Sequence, residues 1–270
     1  MVIFIIPAYN EEENIGRLLE GMRLKFEGIK LKAHVIIVDD ASRDRTGEIA
    51  RSFSPRLSIE VVRNPVNKGV AEAFRAGFRR ALELAGPEDF IITKEADNTS
   101  DLSVLQAMLG RLAEGYDFVL ASCFAPQGKV VNSTADRHLL SWGANWLLRT
   151  FFPIPGVHTY SSFYRGYRAD TLRRAFEVYN GRLLECEGFG CMVEMLVKLR
   201  RLPVKLIEVP MVLQCDLRRG PSKMRRFRTI REYLRLIRRE AFRSRLDPER
   251  VRAVFERPKE QRMPALSEAA

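Results

Sequence analysis

A chain of 270 residues with 46% hydrophobic and 29% charged content can bury a sizeable core, which excludes a wholly disordered protein and leaves room for one large domain or two small ones. A formal net charge of +11 points to an anionic partner: nucleic acid, anionic lipid or a phosphorylated metabolite. Cys123, Cys186, Cys191 and Cys215 include no C-x-x-C pair, which argues against a zinc ribbon and fits the reduced thiols of a cytosolic chain; no apolar run approaches a membrane-spanning length.

Residues 2–6 are continuously apolar, too short for a signal-peptide core, and read as a central strand that Pro7, lacking a ladder donor, should stop. The loop Pro7-Ala8-Tyr9-Asn10-Glu11 leaves that strand's C-terminal edge. Asn10 is a candidate N-cap with acids behind it, and Ile15, Leu18, Leu19 and Met22 recur at helical spacing. The unit repeats: residues 33–38 form a second apolar strand, Asp39-Asp40-Ala41-Ser42 its edge loop, and Ile49, Ala50 and Phe53 mark a helix. A third strand at 57–62 runs into Asn67-Lys68-Gly69 and a helix carrying Ala73, Phe74, Gly77, Phe78 and Ala81. Strands alternating with helices imply a mostly parallel sheet covered on both faces.

The fourth strand begins at Phe90 and runs into Glu95-Ala96-Asp97. Two acids one residue apart on an extended backbone can face the same side of the crevice outside a parallel sheet's carboxyl edge, where hard oxygen ligands suit a divalent cation. The same pattern also describes a polar strand end, with Thr99 or Ser100 capping the helix of Leu102, Leu105, Met108, Leu109 and Leu112.

Taken in order, Pro7-Ala8-Tyr9-Asn10-Glu11, Val38-Asp39-Asp40-Ala41-Ser42, Asn67-Lys68-Gly69 and Glu95-Ala96-Asp97 resemble the nucleotide-sugar half of glycosyltransferase family 2, most of all the dolichyl- and polyprenyl-phosphate mannose or glucose synthases. The resemblance implies a GT-A-type, Rossmann-like α/β fold. It also implies that Pro7, Ala8, Tyr9, Glu11, Asp39, Asp40 and Lys68 hold the nucleotide, and that Glu95, Asp97 and Thr99 hold Mg²⁺ or Mn²⁺ against the diphosphate.

In the second half, residues 117–122 form a fifth strand whose end carries Cys123 where the family usually has arginine. Residues 124–135 read as a mobile flap. Residues 137–152 look helical, with Trp142 and Trp146 one turn apart and expected in the core rather than against an acyl chain. Residues 159–168 resemble a further family segment, with Thr159 in place of aspartate and Phe163 in place of glycine; Glu187-Gly188-Phe189 with Glu194 matches the next signature. Residues 206–212, interrupted by Pro210, suit an edge strand. Arg218-Arg219-Gly220-Pro221-Ser222-Lys223 resembles the loop that closes over the diphosphate, although Leu217 stands at the family's leading arginine. Asp97, Glu194 and Lys223 are the candidate catalytic groups, with Glu194 or Glu187 as base were the acceptor a hydroxyl.

Residues 229–242 read as a basic amphipathic helix with Ile230, Tyr233, Leu234, Ile237 and Ala241 on one stripe, suited either to anionic lipid or to packing on the domain. The expectation is one domain over 1–245, divided into a nucleotide-sugar half at 1–122 and an acceptor half at 123–245, followed by a flexible tail at 246–270. It would act as a metal-dependent inverting hexosyltransferase using a GDP- or UDP-linked sugar. The acceptor would be a polyprenyl or dolichyl phosphate at the cytoplasmic face of a membrane, with peripheral attachment and no nucleic-acid partner. A non-catalytic nucleotide-binding or scaffolding homologue is the alternative.

Overall fold

The computed structural model describes residues 1–223, 226–242 and 246–258. β1 (Val2–Ala8), β2 (Ala33–Asp39) and β3 (Ile59–Arg63) alternate with α1 (Glu12–Gly28), α2 (Thr46–Arg51) and α3 (Val70–Leu84). β4 (Phe90–Thr93), α4 (Leu105–Ala113) and β5 (Phe118–Ser122) follow. The second half supplies β6 (Lys129–Val131), α5 (Ala135–Phe151), β7 (Arg165–Arg168), α6 (Ala169–Val178) and α7 (Cys191–Arg200). It ends in β8 (Leu206–Pro210), β9 (Val212–Gln214), α8 (Arg226–Ala241) and α9 (Pro248–Phe255).

Seven strands form one sheet in the order β3-β2-β1-β4-β7-β5-β8, parallel except for β7, which runs antiparallel to β4 and β5. β1, β2, β4 and β5 are largely apolar because both faces of the sheet are covered. Ile3, Ile5, Ile36 and Val38 meet Phe74 and Phe78 of α3 on one side; Phe4, Ile6, Val35 and Ile37 share the other with Leu18, Leu19 and Met22 of α1. Gly77 sets the closeness of α3, since a Cβ there would lie 2.3 Å from Ile5 Cγ2.

Contrary to expectation, Pro7 does not end β1. Ile5 O accepts from Lys94 N, so residues of Ile5's parity direct their polar groups toward β4; that pairing ends at Ile5 opposite Thr93, and Pro7's missing donor faces a side with no ladder left. The β4–α4 connection is capped one or two residues later than expected, by Asp101, which accepts from Ser103 N at 2.8 Å ahead of a single 3-10 turn. β7 went unforeseen because Arg-Gly-Tyr-Arg lacks a strand's apolar signal. Its Arg165 is nevertheless fully buried, donating to the carbonyls of Ser162 at 2.6 Å, Met192 at 2.6 Å and Tyr160 at 2.7 Å. Every donor group finds an oxygen, so the cation can be buried.

Three further expectations are corrected. The flap at 124–135 contains β6, which pairs in parallel with β9 as a separate small sheet. Trp142 and Trp146 are 56% and 59% exposed, because Asn145 and Leu148 occupy the inward face of α5. The tail is not loose from Asp247: Asp247 caps α9, Pro248 takes its first turn, and Arg174 of α6 donates to the carbonyls of Val254 and Phe255. Residues 259–270 of that tail, and Arg243, lie outside the described residues.

The inward stripe of α8 is also rotated from the expected one. Thr229, Tyr233, Leu236, Ile237 and Glu240 are buried, whereas Ile230, Leu234 and Ala241 are exposed. β8 is the sheet's edge, as its proline suggests.

Candidate functional site

The carboxyl ends of β1, β2 and β4 open onto a cleft of about 800 Å³. This is where a parallel sheet leaves its loops free to build a site. Pro7, Ala8, Tyr9 and Glu11 reach the cleft from the β1 loop, Asp40 and Lys68 from the β2 and β3 loops, and Glu95 and Asp97 from beyond β4. Arg218, Lys223, Arg228, Thr229 and Glu232 reach it from more than a hundred residues further on, and Ser161, Phe163 and the Glu187–Phe189 turn line it as well.

Asp97 is the most constrained group on this wall. Its Oδ1 accepts from Thr99 N at 3.0 Å and Thr99 Oγ1 at 2.7 Å, and its Oδ2 accepts from Arg218 Nε at 2.8 Å and from Arg218 Nη2. Burial would push its carboxyl up, but the Arg218 charge and the Thr99 hydrogen bonds together hold it below the usual carboxylate range. Thr99 supports Asp97 through these two bonds and is not among the residues that line the cleft. Glu95 takes Ser100 Oγ at 2.9 Å and Phe163 N at 3.3 Å. Beneath the pair, Lys94 is fully buried with Nζ on Ser100 O at 2.7 Å, and desolvation lowers its pKa.

Glu11 faces Lys223 Nζ at 3.6 Å and accepts from Asn14 Nδ2 at 2.7 Å. Burial raises its carboxyl, with Lys223 and Asn14 partly offsetting that. Asn14, which no sequence signal marked, also exchanges two hydrogen bonds at 2.9 Å with the backbone of Arg219, clasping the 218–223 loop to α1. Arg219 thus acts through its backbone and does not line the cleft. Of the two arginines in that loop, only Arg218 lines the cleft.

Asp39 is also set apart from the predicted nucleotide contacts. It is fully buried below the wall, accepting from Ser42 N at 2.8 Å with Oδ2 facing Arg63 Nη1 at 3.2 Å. Asp40 does reach the wall, but its oxygens hold the β3–α3 loop through Asn64 Nδ2, Lys68 N and Gly69 N. Gly69, at φ 90°, permits the turn that brings those amides round.

Glu194 is the clearest correction among the catalytic candidates. It is fully buried on α7, away from the cleft lining, with Oε2 accepting from Glu185 N at 2.8 Å and Cys186 N at 2.7 Å. Its Oε1 lies 2.6 Å from both Lys198 Nζ and Arg239 Nη2. A carboxylate with four donors has no lone pair to spare for a proton in flight. Glu185, Glu194 and Glu240 cluster closely enough for a metal, but Lys198, Arg201 and Arg239 already neutralise them.

The family departures are structural as well. Cys123 is buried and its thiol is pushed up to about 11, chiefly by desolvation, so it supplies no charge for phosphate. Thr159 Oγ1 pairs with Ser122 Oγ at 2.7 Å. Phe163 packs edge-on to Phe74 and stacks on Phe189 at 5.7 Å, making an apolar wall.

Comparison with known proteins places this cleft in context. The chain is 32% identical to the undecaprenyl-phosphate mannosyltransferase of Micrococcus luteus over 83% of its own length and 87% of that protein's. It is also 32% identical to the dolichol-phosphate mannosyltransferase of Pyrococcus furiosus over 87% of its length, spanning 62% of that longer relative. Among solved structures, glucosyl-3-phosphoglycerate synthase from Mycobacterium tuberculosis, in complex with Mn²⁺, UDP and phosphoglyceric acid, superposes with a TM-score of 0.63 at 17% identity. That match covers 90% of this chain and 79% of the other. S. aureus TarS in complex with UDP-GlcNAc gives a TM-score of 0.61 at 19% identity, covering 94% and 70%. These structures share the GT-A fold. Residues 3–176 match the glycosyl transferase family 2 model, and with the cleft built from the loops that carry that family's motifs, the chain belongs to glycosyltransferase family 2.

Proposed function

We propose that the chain transfers a hexose, with inversion, from a UDP- or GDP-linked donor to the phosphate of a polyprenyl lipid. The observation that carries this reading is the meeting of the Pro7–Glu11 loop, Asp97 and the Arg218–Lys223 loop around one cleft. Tyr9 offers a ring to the base, Lys68 a charge at the nucleotide end, and Arg218 and Lys223 positive charge for the oxygens of the departing diphosphate. Phe163 and Phe189 make one wall apolar and so help exclude water from the reacting centre.

The donor set fits Mg²⁺ or Mn²⁺. Asp97 and Glu95 are oxygen ligands on the cleft wall, and Asp97 already accepts a cation, the Arg218 guanidinium. When bound there, the metal would neutralise charge developing on the leaving diphosphate. For this chain's own residues, that requires Arg218 to exchange Asp97 for phosphate oxygens as the donor enters.

The burial of Glu194 removes one of the two candidate bases for a hydroxyl acceptor, while Glu187 stays on the cleft lining, and a phosphate acceptor needs neither. An ionised phosphate oxygen attacks without surrendering a proton, so a locked Glu194 costs the reaction nothing. The relatives named above as lipid-phosphate mannosyltransferases support the same acceptor class. Attachment to the lipid surface falls to α5 and α8, which pack on one another and both turn apolar residues outward: Leu139, Trp142 and Trp146 from the first, Phe227, Ile230 and Leu234 from the second. Arg231, Arg235 and Arg238 are exposed along α8, each worth about 1 kcal/mol near an anionic surface. No described helix is long and apolar enough to cross a membrane.

The test is incubation with tritiated UDP- and GDP-hexoses, Mn²⁺ and vesicles carrying either polyprenyl phosphate or the matching polyprenol. Label in the phosphate-bearing lipid alone is expected. Label in the polyprenol, or in neither lipid, contradicts the proposal.

A further inference from the structure

Glu232 is an unexplained charge in the cleft. It projects from α8 beside the Glu187–Phe189 turn, and its side chain is only 13% exposed. Arg228 Nε donates to Oε1 at 3.1 Å, while Oε2 is buried with no hydrogen-bond partner among the described residues. The carboxylate lies against Gly188: a Cβ there would fall 2.2 Å from Oε1 and 2.3 Å from Oε2, so any side chain at 188 would displace it. A desolvated carboxylate oxygen left without a donor is costly, which makes it an acceptor awaiting one.

The chemistry around it narrows what that donor is. An ionised diphosphate or acceptor phosphate carries no proton to give to this oxygen, and Arg218 and Lys223 elsewhere on the lining suit those groups better. Sugar hydroxyls are neutral donors.

We propose that Glu232 reads a ring hydroxyl of the transferred hexose and thereby sets which sugar the cleft accepts. This rests on the hexosyl-transfer reading above and adds the residue that discriminates within it. Glu232 takes no proton in the reaction; it orients the ring, and a donor lacking or inverting that hydroxyl leaves its oxygen unpaired.

The test uses the full chain, the nucleotide hexose it transfers fastest, and that donor's monodeoxy analogues. In the wild type, one deoxy position should lower kcat/KM by about 10²-fold or more. In Glu232→Ala that position's penalty should shrink to within about threefold of the other positions, with Glu232→Gln between the two. Nucleoside diphosphate affinity should stay unchanged, which reports that the cleft is intact. Gly188→Ala, which displaces the carboxylate without removing it, should flatten the same position. An unaltered penalty pattern in Glu232→Ala and Glu232→Gln overturns the proposal. A wild-type chain that transfers no hexose at all overturns the reading beneath it, and that result is visible before any variant is made.

Discussion

Replacing Glu194 by glutamine separates a supporting carboxylate from a catalytic one. The variant keeps volume and one acceptor oxygen, which can still serve the amides of Glu185 and Cys186, but sets an NH₂ against Lys198 and Arg239. Breaking a buried ion pair from one side costs about 3–5 kcal/mol. Lys198 retains Glu185 Oε2 at 2.7 Å and Arg182 O at 2.6 Å, and the Arg239 side chain is 37% exposed and screened by water, so the lower figure applies. At about 2–4 °C per kcal/mol for a chain of this size, the thermal midpoint should fall by about 6–12 °C. Activity below the midpoint should fall much less, through slackening of the 185–189 turn that lines the cleft. Unfolding followed by circular dichroism, with transfer assayed at 20 °C, checks both. An unchanged midpoint with activity lost by a thousandfold would refute the structural assignment and restore Glu194 as a base.

Other expectations follow from the same contacts. Arg218→Gln should raise the affinity for Mn²⁺ alone, read by electron paramagnetic resonance, because the cation no longer competes with a guanidinium for Asp97; unchanged affinity would remove the exchange step. The same variant should move acid unfolding to higher pH. The depressed Asp97 carboxyl contributes stability that is present above its ordinary 3.8 and is lost as pH falls through its lower folded value, so losing Arg218 narrows that margin. Gly77→Ala should cost about 1–3 kcal/mol in urea unfolding, since Ile5 must move to admit the methyl group. Trp142→Ala with Trp146→Ala should weaken co-sedimentation with anionic vesicles by about tenfold while leaving the thermal midpoint within about 1 °C, as both rings are exposed; unchanged sedimentation would detach α5 from the lipid surface.

Much of the nucleotide half is legible from the chain because its signals are local. Buried parallel strands announce themselves as apolar runs, and each leads directly into its loop, so Tyr9, Glu11 and Asp97 fall onto one sheet edge by periodicity alone. What escaped depends on partners distant in sequence. Arg165 looks like a surface residue until three carbonyls from two segments converge on it. Trp142 and Trp146 look like core until Asn145 and Leu148 are seen to hold the inward face. Asp39 and Asp40 are adjacent, and only the fold shows that one sinks beneath the wall while the other ties down a loop. Glu194 and Glu232 differ most instructively. The first carries the family signature but is spent on four donors, whereas the second carries no signature and keeps a buried oxygen unpartnered among the described residues.

The most direct measurement of the central claim is a calorimetric titration of the full chain with UDP and GDP, with and without Mn²⁺. One equivalent of at least one nucleotide should bind, weakening by tenfold or more when the metal is chelated and in Asp97→Asn. Absence of binding by both nucleotides, in the presence of metal, would contradict the assignment of this cleft.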